Sequence, residues 1–574
     1  MINFIKDQQI LVDKCLLHIT NPPLMDFLLK VISTDKPDES NGVLHKLKQE
    51  QFIPKLLTKL GPDCDAATQC AAADFLKAFI AISGNCMDEV ASGIGPNELT
   101  RELASPKVMK LLIENMLKGG TCLSNGVGII IELIRKNNSD YDYIQVMHTT
   151  LETHPPSDRD PIYLGHMLKL FAENIHAFND ILVETTTPIL DTSFGRIEPV
   201  GFERFKICEL IAELLHCSNM SLLNEKKAPK VIEERDRVRE ELLKKRMEEA
   251  ASPDGEEMTS QLNSLQLNSS QPMDQDDVTQ ETIEEGDVID DSDEAMNNLR
   301  NDPVVGDALK ISLADTQIIT TILEMLFHFK WNNFLHNVVF DIIQQIFNGP
   351  LKISYNKFLI RDLLVGAEIT SLIINGDEDS NKQEEEHNIR LGYMGHLTLV
   401  AEEIVKFSIY LEELKLTFMT SAIVTSLAEE SWKQYVNTTL MSTREKYDMV
   451  LGEVVDENGE IISTMDNNED GDYDEQDENA EQLMGDDNDV DLEGSDLHNE
   501  EQNNDDIDVD ADNTFEDMHD AAEEDEKNTH DETVDTEDNE DTRFDKYMSN
   551  ELDRTTSASK RTKVDHGHDY LDVD

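Results

Sequence analysis

Catalysis needs reactive side chains brought together, and this sequence offers few whose spacing could unite them. His148, His154, His166 and His176 read as lying on separate helices or loops, with no metal-ligand interval between them. Seven cysteines, at 15, 64, 70, 86, 122, 208 and 217, form no CxxC pair and no Cys/His cluster of zinc spacing. An odd count scattered through apolar runs reads as reduced, buried thiols in a reducing compartment. The chain has no P-loop, no complete GxGxxG, no HExxH and no GxSxG. Gly126-Val-Gly128 lacks the third glycine and reads as a helix start. The acidic residues near the C-terminus lack the spaced ligands and turn glycine of a calcium loop. The expectation is a non-enzyme, with no catalytic residue, no cofactor and no metal.

Binding chemistry remains, and it falls on polar residues that helical periodicity does not explain. Arg196, Glu198 and Arg204 flank the turn at Pro199. Tyr393 lies between Gly392 and Gly395, and His396 follows directly. Arg135, Lys136 and Asp140 end a helix, and Asn125 interrupts the apolar run inside the same one. Turns of this kind line up along the edge of a helical stack, where partners dock. The competing reading is intramolecular: such residues cap helices and lock neighbouring repeats.

The elements that must position them are amphipathic helices. Ile53, Leu56, Leu57 and Leu60 make an i, i+3, i+4, i+7 stripe. Leu123, Val127, Ile130, Ile131 and Ile134 make a second, and Ile207, Leu210, Ile211, Leu214 and Leu215 a third. No run alternates long enough to argue for a sheet. The stripes also recur. Phe52–Leu57 and the apolar run to Ile82 have a counterpart in Val108–Ile113 and the run to Ile134. Leu123-Ser-Asn125-Gly-Val127 is echoed by Leu335-His-Asn337-Val-Val339, where the stripe continues to Ile346. Recurring helix pairs predict an all-α, armadillo/HEAT-like solenoid, irregular in its repeat length.

Charge divides the chain. Of a net charge of −70, residues 451–574 hold 47 acidic and 7 basic side chains, and residues 251–300 hold 14 and 1. Both segments are too polar to bury a core and read as disordered. The organisation expected is helical repeats over 1–224, a charged helix over 225–250 that projects from the body or caps it, and a disordered acidic insertion over 251–303. Helical repeats resume over 304–451, broken by a polar loop from Gly376 to Asn388, and 452–574 is a disordered acidic tail. This balance argues against nucleic-acid binding, which needs clustered Lys and Arg, and no segment predicts membrane insertion.

Four segments go beyond periodicity. Residues 122–141, from Cys122-Leu-Ser-Asn-Gly-Val-Gly to Asn-Ser-Asp-Tyr141, closely resemble the signature of the SAPS family. These are the regulatory subunits of protein phosphatase 6 and its fungal counterpart. Phe194–Gly201 with Arg204–Leu215 resembles a second hallmark, Arg390–Val400 a third, and Trp432–Leu440 the segment that closes the family domain. The resemblance spans about residues 11–451, and the acidic insertion and tail fit fungal members. It implies a scaffold that binds a PP2A-like (type 6) Ser/Thr phosphatase catalytic subunit and directs it to phosphoprotein substrates, with links to G1 progression and nutrient signalling. Family members carry further helical sequence before the part matching Leu11, so the first repeat here is expected to expose an apolar face. The expected location is the cytoplasm, with Lys560-Arg561-Thr562-Lys563 as a candidate nuclear import signal. The alternative from another class is a transport or chaperone solenoid that binds basic cargo through its acidic tail.

Overall fold

The computed structural model describes residues 2–36, 40–84, 93–142, 144–157, 160–192, 195–250 and 283–447. They form helix pairs. In chain order these are α1 (Phe52–Thr58) with α2 (Ala66–Ile82), α3 (Pro106–Met116) with α4 (Gly120–Lys136), and α5 (Gly165–Glu184) with α6 (Phe202–Ser218). A longer helix, α7 (Ala228–Ala250), follows. Further along come α8 (Val305–Thr316), α9 (Asn333–Phe347), α10 (Asn356–Arg361), α11 (Ile369–His387) and α12 (Met394–Glu413), with other helices, such as Ile318–His328 between α8 and α9, before, between and after those labelled.

Local chemistry starts these helices. Pro106 occupies the first turn of α3, where its missing N–H costs nothing. The Asp65 carboxylate accepts from Thr68 N (2.9 Å) at the start of α2, and the Asn332 side chain accepts from Leu335 N (2.9 Å) at α9. The predicted stripes are the core: Leu56, Leu57, Val127, Ile130, Ile211, Leu215, Ile342 and Ile346 are all buried. Burial of such faces against neighbours, rather than helix propensity, holds the stack.

Two layers result. In one, α2, α4, α6, α9 and α12 pack side by side in that order; in the other, α1, α3, α5, α8 and α10 do the same. Polar contacts fix the first layer as parallel. The Glu203 carboxylate, at the start of α6, accepts from Gly120 N at the start of α4 (2.6 Å). At their other ends Asn138 meets His216 (3.3 Å), and Asn219 beyond α6 donates to Gln345 of α9 (3.4 Å). The helix starts therefore share one edge and the helix ends the opposite one, as in the predicted solenoid. In the first helices Phe4, Ile10, Leu17 and Phe27 are exposed.

Several expectations are corrected. Gly126 is not at a helix start but in the second turn of α4, where a Cβ would sit 2.2 Å from Met116 Cγ; glycine lets α3 and α4 approach. The stretch 376–387 is not a loop but the second half of α11, built from the strong helix formers Glu, Gln and Lys. Of the two alternatives for helix α7, the structure shows packing on the body rather than projection along its first half, because Ala228, Ile232, Arg235, Val238 and Arg239 are buried. The insertion is shorter than 251–303. Val288–Ile289 pair in parallel with Thr417–Phe418, and Ser292 caps a helix over Asp293–Asn301. Buried Asp291 accepts from Thr420 N (2.7 Å), so an acidic segment is held as structure. Residues 251–282 and the acidic tail lie outside the described residues. A hairpin of three-residue strands, Leu190–Thr192 and Gly195–Ile197, also went unpredicted because it is exposed and too short to alternate.

Candidate binding edges

The nine candidate residues separate between the two edges. On the edge of helix starts, Arg204 is the centre. It is buried, and Nη2 donates to Glu198 Oε1 (2.9 Å) and Thr187 Oγ1 (2.9 Å), with the Pro199 carbonyl at 3.5 Å. Its guanidinium lies 5.0 Å from the centre of the Phe329 ring. The other Glu198 oxygen meets His328 Nε2 at 3.1 Å. Hydrogen bonds from Arg204 and His328 hold the Glu198 carboxyl below the usual carboxylate range. Arg196, by contrast, is exposed on the hairpin, 3.6 Å from Asp191.

Phe329 carries the cluster onward. Its carbonyl accepts from His336 Nε2 (2.9 Å) in α9, and the His336 ring lies 5.6 Å from His396 and 6.2 Å from Tyr393. His396 donates to Asn337 Oδ1, and the Tyr393 hydroxyl donates to the Gly376 carbonyl (3.1 Å). Gly392 permits this closure, because a Cβ there would sit 2.8 Å from the Lys330 carbonyl. Glu198, Arg204, Tyr393 and His396 thus meet through Phe329 and His336, which sequence reasoning missed. The available signal was the Leu335-His-Asn337 echo. Asn125 and Asn337 both reach from a stacked helix to its neighbour, Asn125 toward Cys70 Sγ (3.7 Å). Around this polar spine Phe202, Trp331 and Phe334 stand exposed.

Removing Arg204 should unfasten that spine. Arg204→Ala is expected to lower stability by about 2–3 kcal/mol, the range of a lost charged hydrogen-bond set, read as a shift in the urea midpoint. Arg204→Lys should recover little, since one ammonium cannot serve Glu198, Thr187 and the Phe329 face together.

The histidines give a pH dependence. Burial and then the neighbouring His336 push His396 down to about 4, and burial also lowers His336. Each is held neutral by the fold, while the unfolded chain protonates near the ordinary 6.5. The unfolded state therefore binds more protons as pH falls below that value, so the stabilising preference for neutral imidazole is complete above about 6.5 and erodes toward about 4. His396→Gln should flatten that part of a stability–pH curve measured by denaturant titration.

The opposite edge holds Arg135, Lys136 and Asp140. Arg135 Nε donates to Glu213 Oε1 in α6 (2.8 Å), Lys136 lies 4.0 Å from Glu132, and the Asp140 carboxylate accepts from Ser221 N (2.8 Å). The Arg135 and Asp140 contacts tie the end of α4 and the turn after it to α6 and the turn that follows α6, while the Lys136 pair stays within α4, and Arg135, Lys136 and Asp140 all remain exposed. Among the described residues no helix is long and apolar enough to cross a membrane.

The family model described as SIT4 phosphatase-associated protein (SAPS) matches residues 1–449. SIT4-associating protein SAP185 of Saccharomyces cerevisiae is 50% identical over 539 residues, covering 84% of this chain and 50% of its own length. The extragenic suppressor of kinetochore protein 1 of Schizosaccharomyces pombe is 38% identical, over 78% of this chain and 60% of its own. Serine/threonine-protein phosphatase 6 regulatory subunit 3 of Gallus gallus is 21% identical, over 78% and 43% respectively. The chain spans about half the length of the curated relatives it matches. No solved structure matches it.

Proposed function

The chain belongs to the SIT4 phosphatase-associated protein family, and on that premise we propose that it is a non-catalytic regulatory subunit of a PP2A-like (type 6) Ser/Thr phosphatase. The observation that carries this reading is that one family match spans the whole described stack, from the first repeat through α12. The mechanism is scaffolding. A rigid helical surface holds the catalytic subunit, other regions hold phosphoprotein substrates, and the effective concentration of one for the other rises. The roles in G1 progression and nutrient signalling, and the cytoplasmic and nuclear location, belong to the same proposal.

The edge of helix starts is the surface proposed for the catalytic subunit. Phe202, Trp331 and Phe334 supply exposed aromatic anchors, and the Arg204–Phe329–His336 spine beneath them keeps the anchors in place. Trp331→Ala with Phe334→Ala should weaken capture of the phosphatase at least tenfold while leaving the urea midpoint unchanged. Unaltered capture by that double variant would move the contact away from this edge.

A further inference from the structure

The acidic stretch 284–293 occupies a groove formed by residues 414–420, the loop before α10 and the end of α10. Its backbone is held as a strand. Gly286 N donates to the Leu414 carbonyl (2.8 Å), and Thr417 N and Met419 N donate to the carbonyls of Asp287 (3.1 Å) and Ile289 (2.9 Å). Its charges meet cations of the body: Glu285 pairs with Lys415, Asp287 with Lys352 (2.8 Å) and Asp293 with Arg361 (3.9 Å). Ile289 is fully buried, while Val288 beside it is exposed. Gly286 has a φ of +87°, the left-handed region that favours glycine. The groove therefore reads a pattern: a glycine, an acid, one exposed residue, a buried aliphatic residue and then acids.

That pattern occurs again in the chain. Gly286-Asp-Val-Ile-Asp-Asp291 fills the groove, and Gly452-Glu-Val-Val-Asp-Glu457 matches it in residue type at all six positions. We propose that the groove is an acceptor for acidic strands and that 452–457, which lies outside the described residues, is its second occupant, exchanging with 286–291 of the same chain. Strand addition suits such an exchange, because main-chain hydrogen bonds give affinity to any extended segment and the alternate side chains give the choice. In the second occupant Glu453 meets Lys352, Val455 enters the site of Ile289, and Glu457 reaches Thr420 N. Val455 is one methylene smaller than Ile289 and fills that site less well, so 286–291 is the stronger occupant. The occupant decides which acidic segment stays tethered to the body and which is presented to partners.

The test is hydrogen exchange of the full chain, read by mass spectrometry, in the unaltered protein, in Ile289→Asp, and in Ile289→Asp with Val455→Asp. Ile289→Asp should leave the amides of Thr417, Met419 and Thr420 slow and should slow exchange across 452–457 at least tenfold. The double variant should lose both effects. A peptide of residues 284–293 added to the double variant should restore slow exchange at 417–420, which shows that the groove survives the substitutions. A peptide of residues 450–459 should restore it too, and a scrambled peptide of equal charge should not. Fast exchange at 417–420 in Ile289→Asp alone, with 452–457 unchanged, would overturn the proposal, as would restoration by the first peptide only or by neither. Slowing at 452–457 that rises with protein concentration would overturn exchange within one chain and assign the strand to a second copy. None of these results depends on phosphatase capture, so this idea and the regulatory-subunit reading can fail separately.

Discussion

Asp160→Ala is expected to weaken the docking of α7 by about 3–5 kcal/mol, the cost of stripping a buried charge of its partner. Asp160 Oδ2 accepts from Arg235 Nε and Arg239 Nη2, both at 2.9 Å, with all three side chains almost inaccessible to solvent. Ser157 N donates to the other oxygen (3.2 Å). Burial by itself would raise the Asp160 pKa; the Arg235 hydrogen bond and the charges of Arg235 and Arg239 outweigh it and hold the carboxyl below its usual range. Without that carboxylate two guanidinium groups would stay buried with too little negative charge to balance them. The cheapest relief is local: α7 should lift off while the stack survives. Hydrogen exchange across 228–239 should accelerate steeply, with α4 and α6 unchanged. The triple variant Asp160→Leu, Arg235→Met, Arg239→Met should restore most of the protection, because apolar groups of similar volume can replace a buried ion network. Loss of protection across the whole stack would instead make α7 part of one cooperative unit.

The second large effect belongs to Asp307. It sits in the first turn of α8, buried, and Oδ1 accepts from Ser354 Oγ (2.7 Å) and Tyr355 N (2.9 Å). Lys310, fully buried one turn later, places Nζ 4.0 Å from the same oxygen and donates to Ser354 Oγ (3.2 Å). Asp307→Ala should cost about 3–5 kcal/mol by removing the balancing charge from a buried ammonium. Because α8 packs on both α5 and α6, the loss should appear in global denaturation rather than local exchange. Asp307→Ala with Lys310→Met should be clearly more stable than Asp307→Ala alone, and a double-mutant cycle measures the coupling.

Both networks mark a limit of what the sequence makes legible. Apolar stripes follow from the helical period, so the helices of the stack and most of its core could be read from spacing, and the 52–56-residue offsets exposed the pairing. Asp160, Arg235, Asp307 and Lys310 look like ordinary surface charges, because nothing in a helical period says which polar residue a distant element will cover. The same reason hid Asp291 and made 283–303 look like part of an acidic insertion. Polar helix formers in α11 were mistaken for a loop because apolar spacing alone was taken to mark a helix. The candidate edges were legible to the extent that turn residues fell outside the stripes. That Glu198 and Arg204 would meet Tyr393 and His396 depended on Phe329 and His336, which lie more than a hundred residues after the first pair and some fifty to seventy before the second.

The regulatory-subunit claim is tested most directly by affinity capture of the full chain from extract, with the co-purifying Ser/Thr phosphatase assayed and quantified. The account predicts a PP2A-like catalytic subunit in stoichiometric amount, retained when residues 453–574 are removed. Capture of no phosphatase, with basic proteins bound only through those acidic residues and released by moderate salt, would contradict it and favour a carrier of basic cargo.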